Sequence, residues 1–538
     1  MSLITPNTTI YLLKKIPLDN TYTDTLYFET AQDQINYFIN PNSGFIIKKL
    51  DSYSYQRVNK NLIRVEGKAD DYYNCNYMVF QNTSFGRKWF YAFVTSINYI
   101  NNNVTEIEYE LDVLQSWHFD YTIPLNFVER QHVVNDTIGE NIEPEPLNID
   151  EYVYTNYQKL NLGSYVQTDV LAIIIAIVDT GGTTVSGNTY DDVYCGATLY
   201  ACNPSSVSDI NNLLSSYIQK PDSVVSMYVC PMLSLPASVY TQIVTSGVVQ
   251  IPSGSSGLKG VEATLPPVQV GDLIDGYQPK NNKLYTYPFN YIHLDNGNGQ
   301  ELALRYEFFN EDTNHIRTPY IKASSTLLQP VQIIVEPNHY KGVNGSNSEG
   351  LHTERLVLSD YPICSWNYDT YRAWVAQNAI PMAISAVPSL ISAGLSDFGA
   401  LHSLGRVLNV ISESYKASIA SDTLKGDYRS GSVNVANKIH NIYYARKCLN
   451  RNRAIQFDNF FTMFGYARNK IEAINRKSRA VFTYVKTVAC TLTPTIEGGV
   501  PADDMKKISN IYDNGIRWWR EPSQIGNFVV NNPPIGNI

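Results

Sequence analysis

Between Val104 and Val113 the chain reads VTEIEYELDV, and Glu106, Glu108, Glu110 and Asp112 alternate there with Ile107, Tyr109, Leu111 and Val113. In an extended strand this period of two puts four carboxylates on one face, about 6.5 to 7 Å apart along the chain. Such a row is either a solvated strand face or a negative stripe that repels phosphate and keeps DNA from sticking to a passage. Other acidic pairs, Asp70 with Asp71 and Glu143 with Glu145, have the composition of glycosidase acid/base pairs, but carboxylate pairs carry that meaning only around a cleft. The eight histidines form no HExxH and no close metal pair, and His118 and His132 read as satisfied structural residues. Neither a phosphate-cradling GxxxxGK[ST], nor a strand-borne GxGxxG, nor a GxSxG is present. Enzymatic activity, a cofactor and a metal site therefore have no positive support.

The seven cysteines are odd in number, scattered and mostly set among apolar or aromatic neighbours, as expected of reduced core residues. Cys195 and Cys202 are too widely spaced for a short metal knuckle. The first twenty residues lack the pattern of a secretory signal. Net charge is −9, which argues against a simple electrostatic grip on nucleic acid.

These residues must be positioned by a large and mostly pleated framework. A length of 538 residues predicts about three or four domains. With 40 Tyr, 12% aromatic and only 17% charged residues, the composition favours a mainly β protein with some α structure. Strands are expected at Lys60 to Val65, Asn76 to Gln81, Lys88 to Ile100 and Val104 to Val113. Asp169 to Val178, DVLAIIIAIV, is a continuous apolar run suited to a strand buried on both faces. Val207 to Ile218 has the spacing of an amphipathic helix, and further strands are expected at Leu302 to Phe309 and Gln329 to Glu336. Asp179 to Asn188, Pro252 to Gly257 and Gly342 to Gly350 read as exposed loops.

One segment departs from this framework. The 24 residues from Ala373 to Ser396, AWVAQNAIPMAISAVPSLISAGLS, carry no charge. About 20 apolar residues suffice to cross a bilayer core as a helix, yet Pro381, Pro388 and several polar side chains make this a poor permanent span. It reads as a segment sheltered first and exposed later. The apolar character continues through Phe398, Leu401, Leu404, Leu408 and Ile411. From Glu413 to Arg479 there are 13 Lys or Arg against 5 Asp or Glu, a net of +8, so the remainder carries −17. This basic stretch suits either anionic lipid headgroups or pairing with acidic neighbouring subunits or DNA. The plain alternative for Ala373 to Ile411 is a buried helical hairpin that never meets lipid.

Three groups of residues resemble one family. YMVFQNTSFGRKWFYAFV (Tyr77 to Val94) followed by IEYELDVLQSW (Ile107 to Trp117), then FVERQH (Phe127 to His132), and C-terminally FGYARNKIEAIN (Phe464 to Asn475), SRAVFTYVKTVAC (Ser478 to Cys490) and ISNIYDNGIRW (Ile508 to Trp518) are similar to the tail knob proteins of small short-tailed phages of the Picovirinae type. Residues from about 150 to 360 carry no such likeness.

The resemblance implies a non-enzymatic virion protein with a β-barrel-like tube domain, assembled as a homohexameric distal tail tube for genome ejection, plus a long apolar helical or irregular loop. The expected domains are 1–150 and 457–538 for the tube, 151–375 for a mostly β knob region and 376–456 for the loop. The loop would plug the channel and later penetrate the host cytoplasmic membrane through Ile380, Met382, Ile384, Val387, Leu390, Ile391, Leu395, Phe398, Leu401, Leu404 and Leu408. Glu106, Glu108, Glu110 and Asp112 would line the lumen. Partners implied are other copies of the chain, the lower collar or upper tail protein, viral DNA in transit and host membrane lipids. The location implied is the virion tail tip and then the host membrane. An alternative function is a receptor-binding tail adhesin without membrane activity.

Overall fold

The computed structural model describes residues 7–53, 61–83, 86–160, 171–178, 187–217, 223–297, 299–313, 316–343, 353–359, 361, 363–365, 427–429, 441–497 and 499–537. The chain divides into two units: 1–148 with 279–284 and 452–538, and 149–278 with 285–451. Both are built mainly from antiparallel β-sheets, as the composition predicts.

In the first unit a six-stranded sheet runs in the order Ile46–Tyr53, Thr8–Lys14, Cys75–Asn82, Trp89–Asn101, Val104–Leu111, Leu62–Glu66. The four strands expected from sequence here appear within two residues of their expected starts, because period-two alternation is a local signal. A five-stranded sheet follows the order Asp24–Leu26, Ile516–Trp519, Phe482–Val488, Asn126–Gln131, Tyr466–Glu472. Asp24–Leu26 pairs in parallel with Ile516–Trp519, so the two ends of the chain share one sheet. The Trp519 indole N–H donates to Asp24 Oδ1 at 2.6 Å and fixes that join.

The core beneath is aromatic and also drawn from both ends. Phe38 stacks on Tyr77 with ring centroids 5.2 Å apart, and Phe482 packs on Trp519 at 4.4 Å. Tyr77, Tyr91, Trp518 and Trp519 are fully buried. Rings of this size each bury 150 to 250 Å² by general survey, so a few of them supply much of the apolar contact that holds distant segments together. Five of the cysteines, Cys75, Cys202, Cys230, Cys448 and Cys490, are buried free thiols.

The second unit contains a six-stranded sheet in the order Val248–Gln250, Thr198–Cys202, Leu171–Ile177, Val224–Pro231, Ile363–Ser365, Asp427–Arg429. Leu171–Ile177 is buried at every residue and paired on both edges, which explains why its sequence does not alternate. A four-stranded sheet joins Tyr152–Lys159, Tyr443–Leu449, Asn290–Asp295 and Glu301–Leu304. Another joins Val261–Thr264, Tyr320–Ser325, Ile333–Asn338 and Leu356–Leu358.

Some expectations need correction. The Leu302 to Phe309 strand is cut to Glu301–Leu304, and Tyr306–Phe308 is a 3₁₀ turn. Arg305 there stacks over the Tyr287 ring at 3.8 Å, a tertiary contact invisible to strand periodicity. The strand expected at Gln329 begins only at Ile333, because Thr326 Oγ1 donates to Pro330 O and accepts from Gln332 N, closing a turn first. The Val207–Ser216 helix forms, but none of its residues is fully buried.

The apolar loop expected over 376–456 falls outside the described residues for 376–426 and 430–440. Within the same range Tyr443–Leu449 is an inner strand, and Arg451–Phe464 is a helix whose Ala454 and Phe461 are buried. Among the described residues no helix is long and apolar enough to cross a membrane.

Candidate functional site

Placement of the acidic strand follows from its neighbours. Val104–Leu111 lies between the long Trp89–Asn101 strand and the edge strand Leu62–Glu66. Thr105, Ile107 and Tyr109 point into the core, so Glu106, Glu108 and Glu110 point outward. Glu106 accepts from Arg64 Nε at 3.0 Å across the pair of strands. Glu110 accepts from Asn20 Nδ2 at 3.0 Å and from the Lys507 ammonium. Partial burial works to raise the Glu110 pKa, but the hydrogen bonds from Lys507 and Asn20 outweigh it and hold the carboxyl below its usual value. Glu108 is solvent-exposed. The outward face is thus acidic but partly compensated.

Asp112 leaves this row, which corrects the expected four-carboxylate stripe. It is fully buried and caps the short helix Val113–Ser116, accepting from Gln115 N at 3.1 Å and from Tyr77 Oη at 2.8 Å. The strand ends at Leu111 because an N-cap side chain must fold back onto the helix it starts. Burial pushes the Asp112 carboxyl up to about 6 despite these hydrogen bonds. Between about pH 4 and 6 the folded chain therefore binds more protons here than the unfolded chain, and this group's contribution to stability falls as pH rises through that window. Asp112→Asn keeps an acceptor for Gln115 N–H without the charge. The variant is expected to gain up to about 3 kcal/mol relative to wild type at about pH 7.5, with the gap closing towards about pH 4. Thermal melts of both proteins across that range check this; a gap independent of pH would refute it.

Of the outward row only Glu110 lines a cleft of ≈ 590 Å³, which has Phe80, Phe90, Tyr109 and Trp117 on its walls and Asp503, Asp504 and Lys507 in the same lining. The Trp117 indole N–H donates to Asp504 Oδ2 at 3.0 Å. Sequence reasoning missed Asp503, Asp504 and Lys507, which lie on the helix Ala502–Asn514. Nothing in their local sequence ties them to a strand almost four hundred residues earlier.

The other acidic pairs have structural partners. Asp71 Oδ2 accepts from Lys68 N at the start of the Ala69–Tyr72 helix. Glu145 accepts from Lys283 Nζ at 2.6 Å, Ala467 N at 2.9 Å and Arg130 Nη2. Glu143 accepts from Lys470 Nζ at 3.2 Å and lies 3.7 Å from Arg468. Much of the basic stretch is therefore matched inside the chain: Arg468 also binds Glu472, Lys477 meets Glu29, and Arg446 faces Asp272. Of the two readings open for the basic stretch, these residues show pairing with acidic groups of the same chain, although Lys470 and Lys477 remain exposed.

His132 is held on both ring nitrogens. Its Nδ1 accepts from Tyr484 N at 2.9 Å, and Nε2–H donates to the Phe461 and Thr462 carbonyls. Burial, with the charge of Arg479 nearby, pulls its pKa down to about 3, so the ring is neutral. His118 Nε2–H donates to Phe28 O, and burial likewise lowers its pKa to about 3. Among the described residues no group of three or more His, Cys, Asp or Glu is arranged to hold a metal. The apolar residues Ile380, Met382, Ile384, Val387, Leu390, Ile391, Leu395, Phe398, Leu401, Leu404 and Leu408 lie outside the described residues.

With this geometry in place, the likenesses to other proteins can be weighed. Residues 6–122 match the family model of the caudoviral major tail protein N-terminus, and residues 269–533 match that of the C-terminal domain of the Bacillus phage phi29 tail knob protein gp9. The chain is 23% identical to tail knob protein gp9 of Bacillus phage phi29 and 24% identical to that of Bacillus phage PZA, with 98% of each chain covered in both cases. The tail knob protein gp12 of bacteriophage C1 shares the fold, with a TM-score of 0.64 at 16% identity over 98% of this chain and 100% of that one. The motifs that carried the resemblance fall in the six-stranded and five-stranded sheets of the first unit and in its helices Arg451–Phe464 and Ala502–Asn514. The chain is thus homologous to the phi29-type tail knob proteins, and like them it is a non-enzymatic structural component of the virion tail.

Proposed function

We propose that the chain assembles as a homohexamer into the distal tube of the tail, through which the genome leaves. The apolar segment beginning at Ala373 plugs the channel in the virion and breaches the host cytoplasmic membrane on release. One observation carries this reading: an uncharged run of 24 residues sits inside a chain homologous over nearly its whole length to tail knob proteins. Held in a ring of six copies, such a segment escapes water, where an apolar patch of several hundred Å² promotes aggregation. In lipid its backbone groups must be satisfied internally, which favours helices packed through Ala383, Ala386, Ala393 and Gly394. Asp397 and Arg406 each cost about 2.5 to 3.5 kcal/mol at bilayer depth, so they face a watery lumen or the interface. The outward carboxylates Glu106, Glu108 and Glu110 suit the bore, since repulsion of phosphate prevents adhesion while Arg64 and Lys507 moderate the field.

The test is dye release from anionic vesicles by the assembled protein under mildly acidic or otherwise triggering conditions. Deleting Ala379 to Leu408 is expected to abolish release while particles of unchanged size still form. Leakage that survives the deletion would overturn the loop assignment, and assembly that fails with it would place the segment in the folded core.

A further inference from the structure

We propose that the first unit holds a small tetrahedral oxyanion, of the size of free phosphate or sulfate, against the guanidinium of Arg479 and beneath the C-terminal segment 530–534. The site is a cavity of ≈ 140 Å³ lined by His132, Lys280, Asn281, Thr462, Arg479 and residues 530–534. Its lining contains two cations and no carboxylate. Arg479 is 3% exposed, yet its Nε and Nη2 have no hydrogen-bond partner among the described residues. Buried donors left unpaired cost about 1 to 3 kcal/mol each, more when charged, and a guanidinium presenting two such donors matches an oxyanion in a fork.

The neighbouring groups narrow the ligand. Asp136 Oδ2 stands 3.8 Å from Arg479 Nη2, too far for a hydrogen bond, and is itself occupied by Asn282 N–H while Oδ1 accepts from Tyr466 Oη. Arg479 Nη1 reaches only Asn532 O at 3.5 Å. Both nitrogens of His132 are engaged elsewhere, and Asn281 Nδ2 donates to Asp458 and Thr462. The donors left for a ligand are thus Arg479 from within and the exposed Lys280 ammonium at the rim. Asp136 offsets part of the Arg479 charge from 3.8 Å but does not supply the acceptor that Nε and Nη2 lack. A polymer phosphodiester is too bulky to reach an arginine this deeply buried.

The roof of the cavity is tied down by backbone and side-chain bonds. Asn532 Oδ1 accepts from Val481 N and Phe482 N, Asn532 Nδ2 donates to Phe482 O, and Ala480 N donates to Pro533 O. An oxyanion beneath would add a charged anchor to this closure, so binding and attachment of the C-terminal segment are coupled.

The experiment measures the thermal midpoint of the full-length protein against rising phosphate, with chloride at matched ionic strength and glycerol phosphate diester as controls. The expected result is a rise in midpoint with free phosphate alone. Lys280→Gln, at an exposed position, is expected to fold normally and to need about tenfold more phosphate for the same rise, the weight of one charge-assisted hydrogen bond. Arg479→Lys, which keeps the charge but not the fork, is expected to lose most of the response. Equal responses to phosphate and chloride, no response in wild type, or an unchanged response in Lys280→Gln would overturn the proposal. A stronger response to the diester than to free phosphate would also overturn it.

Discussion

Replacing Gly465 with alanine is expected to prevent the first unit from folding. Gly465 sits at φ +65°, between the helix Arg451–Phe464 and the strand Tyr466–Glu472. A Cβ there would lie 2.3 Å from Gln131 C, 2.4 Å from Gln131 O and 2.4 Å from His132 N. All three are backbone atoms, and Gln131 is held in register on both sides, by Tyr466 and by Val485. No side chain can swing away, so relief demands that three strands separate. The left-handed conformation adds about 1 to 2 kcal/mol for a residue with a Cβ, and overpacking against fixed atoms adds about 1 to 3 kcal/mol or more. Soluble yield and cooperative melting of the variant check this. A soluble Gly465→Ala protein melting within a few degrees of wild type would show that the strands yield more readily than their pairing implies.

The second large effect is expected at Glu145. Its side chain is 1% exposed, and it accepts from Lys283, Arg130 and the amide of Ala467. The Arg130 guanidinium also donates to Gly465 O at 2.6 Å and lies over the Phe460 ring, so the carboxylate joins the 140–146 connection to the same helix and strand that Gly465 separates. Burial pulls the Lys283 ammonium below its usual pKa, and Glu145 counters that shift. Glu145→Ala leaves two buried cations and an amide without their acceptor, a loss of about 3 to 5 kcal/mol. For a unit of this size that lowers the thermal midpoint by roughly 10 °C. Glu145→Ala combined with Lys283→Met removes one of the two buried cations that faced the carboxylate and is expected to recover part of the loss. A double variant less stable than Glu145→Ala alone would show that Lys283 stabilises the fold by some route other than this ion pair.

How much of this was legible beforehand depends on how far apart the interacting residues lie. The Trp89–Asn101 and Val104–Leu111 hairpin was readable because each strand states its own buried face in alternating residues. Asp112 was misread as a continuation of that alternation. The local signal for its true role was present, since Asp112 followed three residues later by Gln115 is the pattern of a helix start. The ion pairs of Glu143 and Glu145 are not legible locally because their cations, Lys283, Arg130, Arg468 and Lys470, are supplied mostly from elsewhere in the chain.

By itself the sequence determined the pleated character of the chain, the period-two alternation of the acidic strand, the uncharged run from Ala373 to Ser396 and the kinship with tail knob proteins. These depend on composition, short-range period or motif, and all three survive without knowledge of contacts. Only the tertiary structure decided that the two ends share one sheet and core, that Asp112 is buried, and that much of the basic stretch is neutralised within the chain. The physical reason is that burial and charge pairing are set by whichever side chains arrive in space, and here they arrive from hundreds of residues away.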